Sequence, residues 1–587
     1  MMNRVTGMLL GAVCVAITPG LGGAQDKQAD DYKADVLALA SRIDGHINKG
    51  LKEAEVSASP KASDHAYFRR LNLDLAGRIP DLLDIGDFID DTRPEKRWIW
   101  VERLLGNDPE RKDLQAAYSS HFANVWRAQM IVNSNNNFQA INLTPQFENW
   151  LREKLDKNVG YDKMVQEILT GAQNANMQPQ FGGGRRFQQN LPGSTAAFYF
   201  ANENKPENLA GTTARLFLGV KLECAQCHPH PFAKWTKNQF WEFAAFFSGV
   251  NQQQFRQPNQ PIIQPGNGRQ IQIPNTKEVV KSKFLDGKAP EWKDNLSGQQ
   301  MLSNWITAKD NPFFAKATVD MVWQYFFGVS LLEPIIEPHD DSPITHPELL
   351  DELAKEFVAH NYDLKYLIRA IVHSDAYQRS SEPVGKGTPD DFLLFARMPV
   401  RGMSPEQFFD SLLKATDYIP SQNNNNVNRG FPFNQQAGPR GEFLSKFASQ
   451  DRRNETQTSI LQALFMMNGK FLEARTKYFP NMTMERIAEL TDARAKNNVV
   501  VEENLSLHTL GLQPTPTAQK VKSLYMLVLS RPARQDEIDR MVRYIDGAAT
   551  STVLSMGSTV GAVRDSRSAI ADVYWALLNS GEFMLNH

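Results

Sequence analysis

The sequence predicts a mainly α-helical protein of two helical domains, with long polar loop insertions and at most a small β element. Three observations carry this. Apolar residues recur near a period of 3.6 along most of the chain, the spacing that lines one face of a helix. Capping residues precede many of these runs, and Gly or Pro punctuates them. A chain of 587 residues is also more than one hydrophobic core holds together.

The N-terminus reads differently. Met1 to Ala24 contains Arg4, an apolar run from Met8 to Ile17, a Pro19-Gly20 break and Gly22-Gly23-Ala24. This is the layout of a secretory signal peptide over residues 1–24, with cleavage expected after Ala24. Cys14 lies inside the apolar run without a small residue suited to lipoprotein processing before it. No later stretch approaches eighteen apolar residues, so the mature chain is expected to carry no transmembrane segment. The protein is therefore expected to be exported, to a periplasmic or extracellular location. A net charge of −2 asks for neither nucleic acid nor an anionic membrane surface.

The first domain is expected over 32–290. Tyr32 to Val56 reads as an amphipathic helix. Ser59 to Ile79 follows, capped at Asp64, with Phe68, Leu71, Leu73 and Leu75 inside, and Pro80 opens the next helix. Further helices are predicted at Pro94 to Leu105, Arg111 to Met130, Pro145 to Lys157 and Tyr161 to Leu169. Pro206 to Leu222 has Pro in its first turn and a buried stripe of Leu209, Thr213, Leu216, Phe217 and Val220.

The second domain is expected over 296–587. Asn311-Pro312 opens a helix that stops at Gly328, and Thr345-His346-Pro347-Glu348 opens another. Asp363 caps a helix to His373, and Ser404-Pro405-Glu406-Gln407 is a capping box. Helices follow at Thr458 to Asn468, Thr517 to Leu529, Gln535 to Asp546 and Ser568 to Leu578. This run of capped helices without cysteine predicts a half that packs by itself and holds no cofactor. Three polar insertions interrupt the chain at Asn174 to Gly193, Asn251 to Pro274 and Ser421 to Gly438. Within the second, Gln270-Ile271-Gln272-Ile273 alternates like a short strand.

Chemistry concentrates in Leu222 to Trp241. Cys224-Ala-Gln-Cys227-His228 is a C-x-x-C-H motif, the attachment signature of a c-type haem. Each thiol can add to one vinyl group, and the following His can ligate the iron. Of three cysteines, Cys14 lies in the leader, so the mature chain spends both of its cysteines here. Two other readings stay open. Cys224, Cys227, His228 and His230 could hold zinc, although four ligands within seven residues are crowded for a tetrahedral site. Cys224 and Cys227 could instead form a disulfide, although a redox C-x-x-C belongs in a βαβ setting and these flanks look helical. Seven aromatics fall in the sixteen residues from Phe232 to Phe247, as the bed of a flat apolar cofactor or as ordinary core.

Elsewhere, Glu337-Pro338-His339-Asp340-Asp341 with His346 reads as a turn-forming polar loop before it reads as a metal site. There is no G-x-S-x-G, H-E-x-x-H or Walker loop, so no hydrolytic role is assigned. His230 is expected not to be the sixth ligand of a haem held by His228. Two residues span at most roughly 7 Å, and Pro229 and Pro231 stiffen the way round the ring. His121, Met130 and His346 are the more distant candidates.

The stretch F-L-G-V-K-L-E-C-A-Q-C-H-P-H-P-F-A-K-W, Phe217 to Trp235, resembles a planctomycete-type family of secreted proteins with tandem domains of unknown function 1549 and 1553. The first domain is similar to Ile43-Asp44 through Phe247, including Leu73-Asp74-Leu75 and Gly77-Arg78-Ile79-Pro80. The second is similar to Asn311-Pro312 through Asn586, including His346-Pro347-Glu348-Leu349-Leu350 and Arg397-Met398-Pro399-Val400-Arg401. The resemblance implies an exported, cytochrome-like protein found with carbohydrate-processing systems. Many relatives carry Asp where this chain has Pro229, which removes an acidic group able to orient an imidazole. The expectation is an exported c-type haem protein with one covalent haem c per chain, working in electron transfer or redox chemistry with a redox partner protein. Its rival is a non-redox extracellular scaffold or glycan-associated binding protein, with the C-x-x-C-H as a disulfide or zinc clasp.

Overall fold

A computed structural model describes residues 21–131, 138–174, 195–229, 234–250, 269–293, 295–331, 346–385, 393–417, 439–447, 469–477, 505–550 and 566–587. Most of the predicted leader, most of each polar insertion, the loop with His339, and the helix expected at Thr458 to Asn468 lie outside them. The described residues are mainly helical, as predicted. No helix among them is long and apolar enough to cross a membrane.

Helix α1 (Leu21–Glu53) starts ahead of Tyr32 and runs through the cleavage point expected after Ala24. Val36, Leu39, Ile43, Ile47 and Leu51 recur on its buried face at the helical period. Helix α2 (Asp64–Leu75) is capped by Ser63, whose Oγ accepts from the Ala66 N–H, and not by Asp64. A cap needs extended backbone, which Ser63 has at ψ 154°. Asp64 sits one residue inside and instead pairs with Lys96 and Arg97, at 2.7 and 2.8 Å.

Next come α3 (Leu82–Asp90), α4 (Lys96–Leu104), α5 (Lys112–Met130) and α6 (Phe138–Asp156). Pro80 lies two residues ahead of α3, and Asp81 occupies its N-cap position. Pro145 does not open α6 but lies within it. An interior Pro removes one helical hydrogen bond. Packing of α6 along α5 outweighs that local preference. Then follow α7 (Tyr161–Asn174), α8 (Ala196–Ala201), α9 (Pro206–Leu218) and α10 (Lys237–Ala244). Strands β1 (Gln270–Gln272) and β2 (Val279–Lys281) form an antiparallel pair with Ile271 opposite Val280.

The later part opens with α11 (Gly298–Ile306), which the sequence reading passed over. Its signal was present: Ser297 and Gln300 form a reciprocal capping box. Helices α12 (Phe314–Phe327), α13 (Pro347–Ala359), α14 (Leu364–His373) and α15 (Asp375–Gln378) follow. α12 ends at Gly328 with φ 71°, and Asp363 caps α14 through the Tyr366 N–H. After strand β3 (Arg401–Gly402), α16 (Pro405–Ala415) carries the predicted capping box of Ser404 and Gln407. The remaining helices are α17 (Pro439–Phe447), α18 (Lys470–Thr476), α19 (Leu505–Leu512), α20 (Thr517–Leu529), α21 (Gln535–Thr550), α22 (Ser566–Leu578) and α23 (Gly581–Met584). Strand β4 (Leu585–Asn586) closes the chain back onto β3.

Two hydrophobic cores result, and they divide near residue 400. The first runs from Val36 to Met398; the second runs from Phe408 to Phe583 and takes in Leu73 and Ile79. This corrects the expectation that the second half packs by itself. α14 lies on α1, α11 on α7 and α12 on α9, so α11 to α15 complete the first core. Their apolar stripes find partners hundreds of residues upstream.

Helix α2 joins the two cores. Every residue from Tyr67 to Leu75 is buried, charged ones included. Arg69 donates to the carbonyls of Val528 and Phe583, at 3.1 and 3.0 Å. Arg70 donates to those of Tyr377 and Arg379, at 2.5 and 3.0 Å. The Asp74 carboxylate accepts from Arg401 Nη2 at 2.9 and 2.8 Å, from Tyr377 Oη at 2.8 Å and from Asn586 Nδ2 at 2.8 Å.

Candidate functional site

The C-x-x-C-H turn starts where α9 stops. That stop comes at Gly219, with φ 68°, and not at Leu222 as predicted. The N–H of Val220 reaches back to the Ala214 carbonyl at 3.0 Å, which closes the helix and turns the chain away. Val220 is nevertheless buried, as are Leu209, Thr213, Leu216 and Phe217. A short 3-10 turn, Glu223–Ala225, then carries the first cysteine.

The turn has an inner and an outer side. Ala225 points into the core and is wholly buried. Cys224 is partly exposed, Cys227 and His228 are exposed, and both thiols are free and not bonded to each other. His228 Nδ1 lies 2.7 Å from the Pro229 carbonyl oxygen. A carbonyl only accepts, so Nδ1 is the donor and carries the proton. Nε2 is the ring nitrogen that this contact leaves for a metal.

Three contacts hold the turn from behind. The Gln226 N–H donates to the Glu223 carbonyl at 3.1 Å. The Trp241 indole N–H donates to the Gln226 carbonyl at 3.1 Å. Glu223 lies flat on α9 at Gly211, where a Cβ would come within 2.5 Å of its Cγ. Its Oε1 is 3.5 Å from Arg215 Nε, whereas its Oε2 is sealed without a partner among the described residues. Burial pushes the Glu223 carboxyl above the usual range, and its own N–H, Arg215 and Lys221 only partly offset that.

Of the two roles open to the aromatic cluster, five of its rings take that of core packing. Phe240, Trp241, Phe243, Phe246 and Phe247 are all buried in the first core. Phe246 stacks on Phe284 at 5.0 Å, and Phe284 on Trp305 at 4.8 Å. These rings fill space behind the turn and leave its outer side to the two thiols and the imidazole. That donor set, two free thiols and an exposed imidazole on one surface turn, fits covalent haem attachment. Of the zinc set, His230 lies outside the described residues, and no group of three or more metal-ligating side chains occurs among those described.

Residues 42–252 match the family described as "Protein of unknown function (DUF1549)", and residues 298–545 match "Protein of unknown function (DUF1553)". The chain has a tandem DUF1549–DUF1553 architecture. No curated protein and no solved structure matches it. In this DUF1549–DUF1553 chain the C-x-x-C-H turn falls within the first match, and α11 opens the second. The two matched segments share the first core, because α11 packs on α7.

Two of the three more distant ligand candidates of the DUF1549–DUF1553 chain, His121 and Met130, are engaged elsewhere. His121 and Met130 do share one helix, α5. His121 Nε2 is 2.5 Å from Tyr325 Oη, and Met130 is buried in the first core. His346 is at the N-cap position of α13, with its ring against Phe395 and over Gly50. Sequence reasoning missed Glu223, Gly211 and the bond from Trp241; nothing local in the sequence marks them.

His346 gives a pH-dependent prediction. It is 6% exposed, and burial, with His46 nearby, pushes its imidazole from 6.5 down to about 4. Below pH 6.5 the unfolded chain takes up a proton that the folded chain refuses. Its contribution is therefore present above 6.5 and is lost as pH falls toward 4, by about 3 kcal/mol at most. In urea melts, the stability gap between wild type and His346→Asn should narrow between pH 6.5 and 4.5. A gap that stays constant across that window counts against it.

Proposed function

We propose that the protein is an exported c-type haem protein in which Cys224 and Cys227 hold one covalent haem and His228 ligates its iron through Nε2, and that it transfers electrons to or from a redox partner protein. The observation that carries this reading is the layout of the C-x-x-C-H turn. Ala225 is buried in the core, while Cys227 and His228 are exposed, Cys224 is partly exposed and both thiols are free. A bound haem supplies one-electron chemistry at its iron. The chain supplies the rest. It separates the reactive side of the turn from a packed aromatic core, and it places the Pro229 carbonyl 2.7 Å from His228 Nδ1. The leader-like N-terminus supports the same reading, because c-type haem is attached outside the cytoplasm.

The test is the full chain produced by export together with haem-attachment machinery. After denaturation, one haem-sized mass adduct per chain and a haemochrome spectrum are expected. Both should vanish in Cys224→Ser/Cys227→Ser. Free thiols, a Cys224–Cys227 disulfide or stoichiometric zinc in chain matured that way would sink the reading.

A further inference from the structure

We propose that Trp241 is a positioning residue for the attachment turn: its indole N–H, bonded to the Gln226 carbonyl, holds the peptide between the two cysteines so that both thiols and His228 face outward. This rests on the haem reading above. Trp241 is itself fixed. It lies one turn into α10, whose start is set by the reciprocal Thr236 and Gln239 capping box, and its ring is buried against Phe240 at 5.3 Å. From that anchor the indole reaches the carbonyl of Gln226, which stands between Ala225, which is buried, and Cys227, which is exposed. The Gln226 N–H is held by the Glu223 carbonyl, so Gln226, the second of the two residues between the cysteines, is restrained at both of its backbone polar groups.

A plainer role would be that a buried indole needs an acceptor. This protein does not enforce that need. Trp126 and Trp323 are as deeply buried, and their indole N–H groups have no partner among the described residues. The acceptor given to Trp241 is also the carbonyl of the peptide that leads into Cys227, and so bears on where that thiol points relative to Cys224. Without it, Gln226 keeps only its own 3-10 hydrogen bond, and the second cysteine can turn away from the first.

The experiment replaces Trp241 in the full chain in two ways. One is Trp241→Phe. The other is the isosteric benzothienyl analogue of tryptophan at 241, which exchanges the N–H for sulfur and keeps the ring volume. Both are exported with the attachment machinery. The readouts are haem per chain, the ligand-field bands of the iron and the melting curve. Loss of one neutral hydrogen bond lowers the ratio of held to released turn about fivefold. Haem loading in a fixed induction should fall, by at most about that factor, or the ligand-field bands should change, in both proteins, while the analogue melts like wild type. Analogue protein that loads and absorbs like wild type overturns the inference and leaves the haem reading intact. Haem-free wild type overturns both. Analogue protein that fails to fold also overturns the inference, because the bond would then support the fold and not the turn.

Discussion

Replacing Asp74 by alanine is expected to destabilise the protein by about 3–5 kcal/mol, the cost of stripping one partner from a buried ion pair. Asp74 is wholly buried, and Arg401 meets both of its oxygens. Tyr377 and Asn586 donate to the same carboxylate. The variant leaves a buried guanidinium and two further donors without their acceptor. Against a typical total of 5–15 kcal/mol, that loss is severe. Urea denaturation followed by circular dichroism measures it. Adding Arg401→Met should recover part of the loss, because the uncompensated charge goes with it. A loss under about 1 kcal/mol for Asp74→Ala would mean that water replaces the carboxylate.

Gly77→Ala should cost about 2–4 kcal/mol, for two separate reasons. Gly77 has φ 69°, where any side chain is strained. A Cβ there would also stand 2.4 Å from His121 Nδ1. That ring cannot move freely. Its Nε2 holds the Tyr325 hydroxyl, which donates in turn to the Asp74 carbonyl at 2.7 Å. Gly385 separates the two effects: its φ is 68°, but nothing lies within 4 Å of a Cβ. Gly385→Ala should therefore cost only about 1 kcal/mol, the backbone term alone. Equal losses at the two sites would show that the His121 contact contributes nothing.

Local signals were legible wherever a few adjacent residues settle the outcome. The boxes at Ser404 and Gln407, the cap at Asp363 and the stop at Gly328 were readable because each is closed within one turn. The Ser297 and Gln300 box was equally local and went unread. Gly219 shows the opposite error: an apolar stripe continued to Val220, but the helix did not, because Val220 is buried from outside the helix. What no local pattern could supply is the pairing of α1 with α14, which assigns the early helices of the second half to the first core. The site divides in the same way. Cys224, Cys227 and His228 lie within five residues, so their grouping as a candidate site could be read directly. The aromatic residues from Phe240 to Phe247 have the same composition whether they cradle a cofactor or fill a core, and only their burial distinguishes the two.

That burial also bears on quality control. When a prosthetic group forms the middle of a small protein, a chain without it stays unfolded and is cleared. Here Phe240, Trp241, Phe243, Phe246 and Phe247 already occupy the space behind the turn. On the haem reading proposed above, a chain that never received the group would be as compact as one that had. Proteases cull molecules by how often they open, so they would spare both. Maturation of this protein would then have to be policed by the efficiency of attachment itself, and preparations made without the machinery should yield well-behaved but empty chains.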